Sequence, residues 1–600
     1  MTSAEIRSKF LEFFKARNHA VIPSASLVTT DEKGVTNPTL FNTAGMQPLI
    51  PYLLGQPYII DGKEIKRLVD AQKCVRTVDI DDIGDNTHAT FFEMLGNWSL
   101  GDYFKKEAIN WSFEFLTGKN EGLGLDPSRL YVTVFEGDAN APRDDEAADI
   151  WREVFKKAGI DGDRIFYMPA SMNWWEAGAN GPCGPDTEMY YDIAGKFGGK
   201  GLTREQFVAA DAVRDVVEVW NDVFMQYEKR DGKIVGNLPK PSVDTGAGLE
   251  RLTMTIQGVN NIYDTDLLKP VMDIIQKSAK NWNLTAARVV ADHLKAAAFL
   301  IADGVTPSNT DRGYVLRKLI RRAVFKMKLL VLEDHTGKEI VEQYSHQYAA
   351  IYPNFDKQLI AKVFREEEEK FLRTLTEGKK EFEKGVDAFT LFSSYGFPLE
   401  LTVELAKEKG MTVDVKDFEE KFKKHQDLSR AGAEQKFKGG LADANDPMVL
   451  RYHTATHLLH QALHDVLGDG VGQKGSNITA ERLRFDFSYG VKMTDEQKKK
   501  VEDVVNEKIA AKLPMQQVTM PKADAEKTGA RHFFGDKYSD EVSIYFVGTD
   551  LATAYSKEFC GGPHVKNTSE LAGPDGTLHF KIQKEEAVSQ GVRRIKAVLQ

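Results

Sequence analysis

The 600 residues are 28% charged and 42% apolar, enough for about three or four globular domains and too ordinary in composition for extended disorder. A net charge of −10 argues against a surface that binds nucleic acid everywhere, while leaving local basic stripes open. The charged N-terminus is no signal peptide, no stretch approaches ~20 uninterrupted apolar residues, and Cys74, Cys183 and Cys560 are too scattered for a disulfide framework, so a cytoplasmic protein is expected.

Residues 1–20 read as a helix with an apolar stripe of Ile6, Phe10, Phe13 and Phe14. From Pro38 to Arg251 aromatics, glycines and paired polar residues mix without helical periodicity, a texture that predicts an antiparallel sheet with flanking helices. Neither a phosphate-cradling Gly-x-x-x-x-Gly-Lys-Ser/Thr loop nor a Gly-x-Gly-x-x-Gly turn is present. If a nucleotide binds, arginines and a metal must hold its phosphates, and Arg76 and Arg251 are the candidates because a guanidinium fork matches phosphate oxygens in pairs. Taken singly, each arginine reads as a surface ion-pair partner. Gly246 and Gly248 shift that balance for Arg251 by permitting close backbone approach to a ligand.

Pro38–Met46, Gln72–Arg76 with Phe91–Trp98, and Val243–Arg251 resemble motifs 1, 2 and 3 of the class II aminoacyl-tRNA synthetases. Their wording, Phe-Phe-Glu-Met-Leu-Gly-Asn and Val-Asp-Thr-Gly-Ala-Gly-Leu-Glu-Arg, resembles the alanyl-tRNA synthetase family, and the likeness runs through the whole chain. The resemblance implies a class II antiparallel sheet core that activates L-alanine with ATP and Mg²⁺ and loads it onto tRNA(Ala). It implies that Arg76 holds the alanine carboxylate and the α-phosphate, and that Arg251 lies against ATP. His88, Phe92 and Glu93 fall in the adenosine-binding stretch. Asp244 matches the carboxylate that pairs with the alanine ammonium, and Trp175, Val223 and Gly246 match the walls around its methyl group. A pocket shaped for a methyl group rejects glycine and serine by only roughly 1–3 kcal/mol, so a second, hydrolytic site is called for.

Residues 261–435 read as mainly helical. Ala291–Gly304 is a helix closed by glycine, and Arg312–Lys328 carries basic rows, Arg317 with Arg321 and Lys318 with Arg322, that meet no acidic residue within the segment. A solvated basic face is the plain alternative to a phosphate-backbone contact. The resemblance implies a tRNA acceptor-stem domain, with Asn309 near the position that reads the acceptor-stem wobble pair and Arg312, Arg317 and Arg321 beside it. The chain departs from the family wording at Ser393 and Glu400, where aspartates are usual. Residues 363–384 read as one long charged helix, and glycine, lysine and aspartate make 436–449 a linker.

His453 and His457 stand four apart in a helical pattern and share one face, while Cys560 and His564 flank Gly561, Gly562 and Pro563 and sit on a loop. Two imidazoles, a thiol and a third imidazole make a tetrahedral zinc set; satisfied histidines with a buried cysteine are the plain alternative. His460 and His464, on nearby turns, are rival ligands. Here the resemblance is to the synthetase editing domain, and it implies that His453, His457, Cys560 and His564 bind zinc and that Thr456, Gln473 and Ser476 line a cleft with Cys560 in which Ser-tRNA and Gly-tRNA are hydrolysed. Pro563 stands where many relatives have threonine.

The expected organisation is therefore an α+β multidomain chain: catalytic core 1–260, helical tRNA domain 261–435, linker 436–449 and editing domain 450–600. The β-barrel and the C-terminal coiled coil of many relatives are expected to be absent, and with them the dimer contact, so a monomer is expected. The competing readings are a hydrolase that clears mischarged tRNA beside a decayed synthetase half, and a non-catalytic tRNA-binding protein. A threonyl synthetase would carry its editing domain before the core.

Overall fold

Among the described residues, runs of β-branched and aromatic residues between Ala20 and Gly248 form eleven strands. These are β1 Ala20–Val21, β2 Tyr58–Ile60, β3 Lys63–Ile65, β4 Arg67–Val75, β5 Phe91–Ser99 and β6 Leu130–Phe135, then β7 Ile165–Met168, β8 Trp174–Glu176, β9 Gly181–Tyr191, β10 Val217–Arg230 and β11 Lys233–Gly248. Nine of them make one sheet in the order β1-β4-β5-β11-β10-β9-β6-β7, with β8 paired to β9; β2 and β3 are a separate hairpin. The computed structural model describes residues 1–28, 40–77, 80, 83–178, 180–424, 446–531, 541–589 and 592–600, so motif residues 38 and 39 and most of the expected linker lie outside the described residues.

The sheet is antiparallel from β4 to β6, as expected, but both edges are parallel: β1 with β4 and β6 with β7. The helix Asp145–Lys157 lies between β6 and β7 and supplies the long crossover that parallel pairing requires.

Two compact units make up the chain, one reaching Leu372 and the other beginning at Arg373. In the first, the N-terminal helix Ser3–Lys15 opens on a Thr2/Glu5 capping box and ends before Asn18, whose φ of 64° turns the chain into β1. Its Phe10 and Phe14 pack on Trp220. The helix Leu284–Ala302 is buried at every position from Ala286 to Ile301, as a core helix must be. No described helix is long and apolar enough to cross a membrane.

The second unit has a four-stranded sheet, β12 Gln473–Ile478, β13 Leu483–Ser488, β18 Val592–Leu599 and β17 Phe580–Ser589, and a three-stranded sheet of β14 Met515–Pro521, β15 Glu541–Val547 and β16 Ser556–Phe559. The helices Pro447–Leu467 and Asp495–Ala510 share a core with the larger sheet through Leu458, Leu459, Val505, Phe485 and Ile595. Ser393 is exposed on the helix Ala388–Tyr395, which Gly396 ends at a φ of 68°. Glu400's side chain lies outside the described residues.

Charged groups, too, tie the first unit together. Arg7 grips Glu93 through two hydrogen bonds of 2.8 and 2.5 Å, and Tyr352 donates its hydroxyl to the same carboxylate at 2.6 Å. Lys295 pairs with Glu250 at 2.8 Å, both buried. Arg7→Met is expected to destabilise the first unit by about 3–5 kcal/mol, because it leaves the Glu93 carboxylate dry and without its ion-pair partner. All seven tryptophans precede Leu372, so a denaturant titration followed by tryptophan fluorescence reads this unit alone. An unchanged midpoint would contradict the assignment.

Candidate functional site

Alternation along β5 sends Phe92, Met94 and Trp98 to one face and Phe91, Glu93, Leu95 and Asn97 to the other. Strand register then aligns one row across five strands: Leu68 opposite Trp98, Trp98 opposite Asp244, Asp244 opposite Val223, and Val223 opposite Asp186. The Trp98 indole donates to Asp244 Oδ1 at 2.6 Å. Trp175 packs against the apolar cluster that holds Trp98, Val223 and Met46. A neighbouring row sets Gly246 opposite Asn221 and Asn221 opposite Glu188. A Cβ at Gly246 would come within 3.0 Å of Met94 Sδ, and one at Gly96 within 2.5 Å of the Trp98 ring, so the missing side chains make room for the indole and for Met94. Asp244, Trp175, Val223 and Gly246 therefore converge.

Asp244 is buried, and burial pushes its carboxyl up to about 8, against the Trp98 hydrogen bond and with help from nearby Asp222. Arg76 follows β4 on the same face. Its Nε donates to the Thr43 carbonyl at 3.1 Å and its guanidinium lies 5.1 Å from the Phe92 ring centroid. His88 is held by Asp85 at 2.5 Å in the preceding loop. Glu93, expected among the nucleotide contacts, is on the opposite face and fully committed to Arg7 and Tyr352; strand parity removes it from the site.

Arg251 lies in the helix Leu249–Gln257, directly after Gly248, and its Nη1 meets Glu218 at 2.7 Å. Glu188 and Asp186 complete an acidic group there. Burial raises Glu188 well above the carboxylate range, with Glu218 and Asp186 adding repulsion, and Asp186 is pushed up to about 8 chiefly by burial. Their partners are neutral: Tyr190 donates to Glu188 at 2.6 Å and Asn173 to Asp186 at 2.9 Å. Sequence reasoning missed this group and Trp98, because only strand register brings them beside Arg251 and Asp244.

Asn309 precedes the basic helix Asp311–Leu329 and its side-chain oxygen accepts from Arg317. Arg312 Nε donates to the Leu40 carbonyl at 2.6 Å. The Arg321 guanidinium pairs with buried Glu367 at 2.7 Å and lies over Phe371. Acids absent from the basic segment itself arrive from the helix Lys357–Glu383.

In the second unit, the helix Pro447–Leu467 begins at Asp446, whose carboxylate caps the amides of Met448 and Val449, and carries His453 and His457 on one buried face. Cys560 follows β16 and His564 the Gly561–Pro563 turn. One donor atom from each of His453, His457, Cys560 and His564 lies within 4.8 Å of the other three. Cys560 Sγ stands 3.5 Å from His453 Nε2 and 3.4 Å from His564 Nε2. The outer nitrogens are oriented from behind: His453 Nδ1 bonds the Pro563 carbonyl at 2.9 Å, and His564 Nδ1 meets Thr454 Oγ1 at 3.1 Å. Burial lowers all three imidazoles, His453 to about 4, and raises the Cys560 thiol to about 12. His457 Nδ1 is buried without a hydrogen-bond partner. A neutral, preoriented N₃S set with an unsatisfied donor atom fits a zinc ion.

His460 is directed to Glu558 at 3.0 Å and His464 to Asp469 at 3.3 Å, so neither rival joins the group. Gln473 and Ser476 lie on β12, opposite Phe487 and Phe485 of β13. Thr456 is buried on the histidine helix with its hydroxyl turned to the Tyr452 carbonyl at 2.8 Å.

The description "tRNA synthetases class II (A)" matches residues 5–473, and "Threonyl and Alanyl tRNA synthetase second additional domain" matches residues 542–596. The alanine–tRNA ligase of Borrelia hermsii is 46% identical over 99% of both chains, and that of Treponema denticola 47% identical over 100% of this chain and 99% of its own. The Bacillus subtilis alanine–tRNA ligase is 36% identical over all of this chain and 79% of its own length. With a class II match over most of its residues and relatives this similar along their full length, the chain belongs to the alanyl-tRNA synthetase family of class II ligases.

Proposed function

We propose that the sheet face bearing Asp244, Trp98, Val223, Arg76 and Arg251 is where this alanine–tRNA ligase forms alanyl-adenylate. The observation that carries it is the row Trp98–Asp244–Val223, a buried carboxylate held by a neutral donor beside an apolar wall. An ammonium entering that space gives Asp244 the cation it lacks, and Val223 and Trp175 enclose the methyl group. Arg76 would hold the alanine carboxylate against the α-phosphate, with Phe92 and His88 taking the base and Arg251 the phosphates. The carboxylate oxygen then attacks the α-phosphorus and pyrophosphate leaves; the protein's part is alignment and charge stabilisation. Magnesium bound with ATP neutralises phosphate charge, and Glu188 and Glu218 are the side chains to hold it, since a divalent cation relieves their mutual repulsion. Asn309, Arg312, Arg317 and Arg321 are assigned to the acceptor stem of tRNA(Ala), within a tRNA-binding stretch over residues 261–435.

Residues 450–600 are assigned to hydrolysis of Ser-tRNA and Gly-tRNA, the errors a methyl-sized pocket admits. His453, His457, Cys560 and His564 would hold zinc, and Thr456, Gln473 and Ser476 would line the cleft. A bound zinc ion would supply fixed positive charge at the aminoacyl ester. The matched second additional domain supports this reading by covering Cys560 and His564.

Asp244→Ala is expected to abolish alanine-dependent ATP–pyrophosphate exchange without unfolding the protein, and wild-type exchange would sink the pocket assignment. In the empty wild-type pocket Asp244 holds a proton below about 8, and that proton must leave when the ammonium binds. The KM for alanine should therefore fall as pH rises from 6.5 towards 8.5. Trp98→Phe, which removes the hydrogen bond favouring the carboxylate, should move the midpoint upward; a flat profile in both proteins contradicts the role. For the second unit, Cys560→Ala is expected to lose zinc by atomic absorption and to accumulate Ser-tRNA while still charging alanine. Full zinc content with normal Ser-tRNA deacylation would refute the assignment.

A further inference from the structure

The helix Leu284–Ala302 directs one stripe, Arg288, Asp292, Lys295 and Phe299, at the loop 84–90 and β5. Their spacing of four, three and four residues keeps them on a single helical face. Arg288 Nη1 donates to the carbonyls of Gly84 and Asp85, each at 2.9 Å, and to Asn86 Oδ1 at 3.1 Å. One turn on, Asp292 takes both hydrogens that Thr90 offers: the amide to Oδ1 at 2.8 Å and the hydroxyl to Oδ2 at 2.5 Å. Lys295 reaches Glu250, and Phe299 stacks on Phe91 with ring centroids 3.7 Å apart.

The loop is thus gripped at both ends, and what it carries lies between and just beyond the grips. His88 is inside it, fixed by Asp85, whose carboxylate also takes the amides of Thr87 and His88. Phe92 is two residues past Thr90. The Thr90 carbonyl accepts the Arg76 amide at 3.0 Å, so Asp292 is one residue removed from the backbone of that arginine. Gly84, at a φ of 119°, lets the loop lie against the helix: a Cβ there would stand 2.7 Å from Thr285 Cγ2. Asp292 itself is buried and oriented further by His293 Nδ1 at 2.9 Å.

We propose that Asp292, assisted by Arg288, is a positioning residue for ATP: it fixes loop 84–90 and, through Thr90, the Arg76 end of β4. Neither residue touches the nucleotide. A carboxylate taking two hydrogen bonds from one residue fixes both position and orientation, and a pre-set loop spares ATP binding the ordering of that segment. This inference rests on the assignment of Arg76, His88 and Phe92 to the ATP site.

Alanine-dependent ATP–pyrophosphate exchange tests it. Asp292→Ala is expected to raise the KM for ATP about tenfold or more, the effect of losing two charge-assisted hydrogen bonds, with a clearly smaller rise in the KM for alanine, which shares only Arg76 with the fixed loop. Asp292→Asn can accept from the Thr90 amide and donate to its hydroxyl, and should restore most of the loss. Thr90→Val keeps the amide bond and the side-chain shape, so it is expected to give a smaller rise and to make a following Asp292→Ala change less than additive. If Asp292→Ala does not fold, the Asn and Val variants carry the test. An unchanged ATP KM, equal shifts for ATP and alanine, or strict additivity overturns the proposal. Arg76→Ala separates the two levels: if its ATP KM is normal, the site assignment fails, and if it is raised while the Asp292 and Thr90 variants behave as wild type, only the positioning role fails.

Discussion

Two kinds of buried carboxylate line the central sheet, those met by a cation and those held by neutral donors alone. On one face Glu93 is met by Arg7, and Glu250, on the helix that follows β11, is met by Lys295. On the other, Asp244, Asp186 and Glu188 receive only neutral donors, from Trp98, Asn173 and Tyr190. Charges of the first kind are already compensated and hold the unit together. Those of the second are raised by burial and remain without a cation until a ligand brings one. The substrates of an alanine–tRNA ligase bring two, an ammonium and a metal-bound triphosphate. The carboxylates that lack a cationic partner are the ones suited to receive one.

The metal cluster of the second unit follows the same logic with different atoms. Three imidazoles are depressed and one thiol is raised, so burial keeps all four donors uncharged, and their outer nitrogens are fixed in part by Pro563 and Thr454. Such a site is oriented but electrostatically incomplete. A divalent cation completes it by turning the thiol into a thiolate. Pro563, which breaks the usual wording of the ligand loop, contributes its backbone carbonyl, an atom that any residue provides.

Much of this was legible in the sequence where chemistry is local. His453 and His457 share a helix face because their spacing is four, and Cys560 and His564 share a turn because glycine and proline separate them. The motifs around Arg76 and Asp244 name residues that the strands set on one face of the sheet. What was not legible depends on pairing between distant strands or helices. Trp98 was in view within its motif, yet its link to Asp244 spans 146 residues and appears only through register. Glu93 was misplaced because a motif gives neighbours along the chain and not which face they occupy. Arg321 looked free because its acid, Glu367, comes from another helix. The parallel sheet edges were hidden for a similar reason, since the texture of a strand says little about the direction of its partner.

The position of the helix Leu284–Ala302 changes how the first unit is understood as a machine. A division after residue 260 follows the motifs, but the compact unit continues to Leu372. From Ala286 to Ile301 the helix has no exposed side, so it cannot belong to a separately mobile tRNA domain without exposing a core. One face holds the loop before β5, Tyr344 donates to its Ala291 carbonyl at 2.7 Å, and the basic helix Asp311–Leu329 follows it after a short turn. The element that carries the expected acceptor-stem residues is therefore attached to the same helix that fixes loop 84–90. Tolerance to sequence change should be lowest where that helix meets the loop, at Arg288 and Asp292, since a shift there is passed through direct hydrogen bonds to Thr90 and from it to the Arg76 backbone.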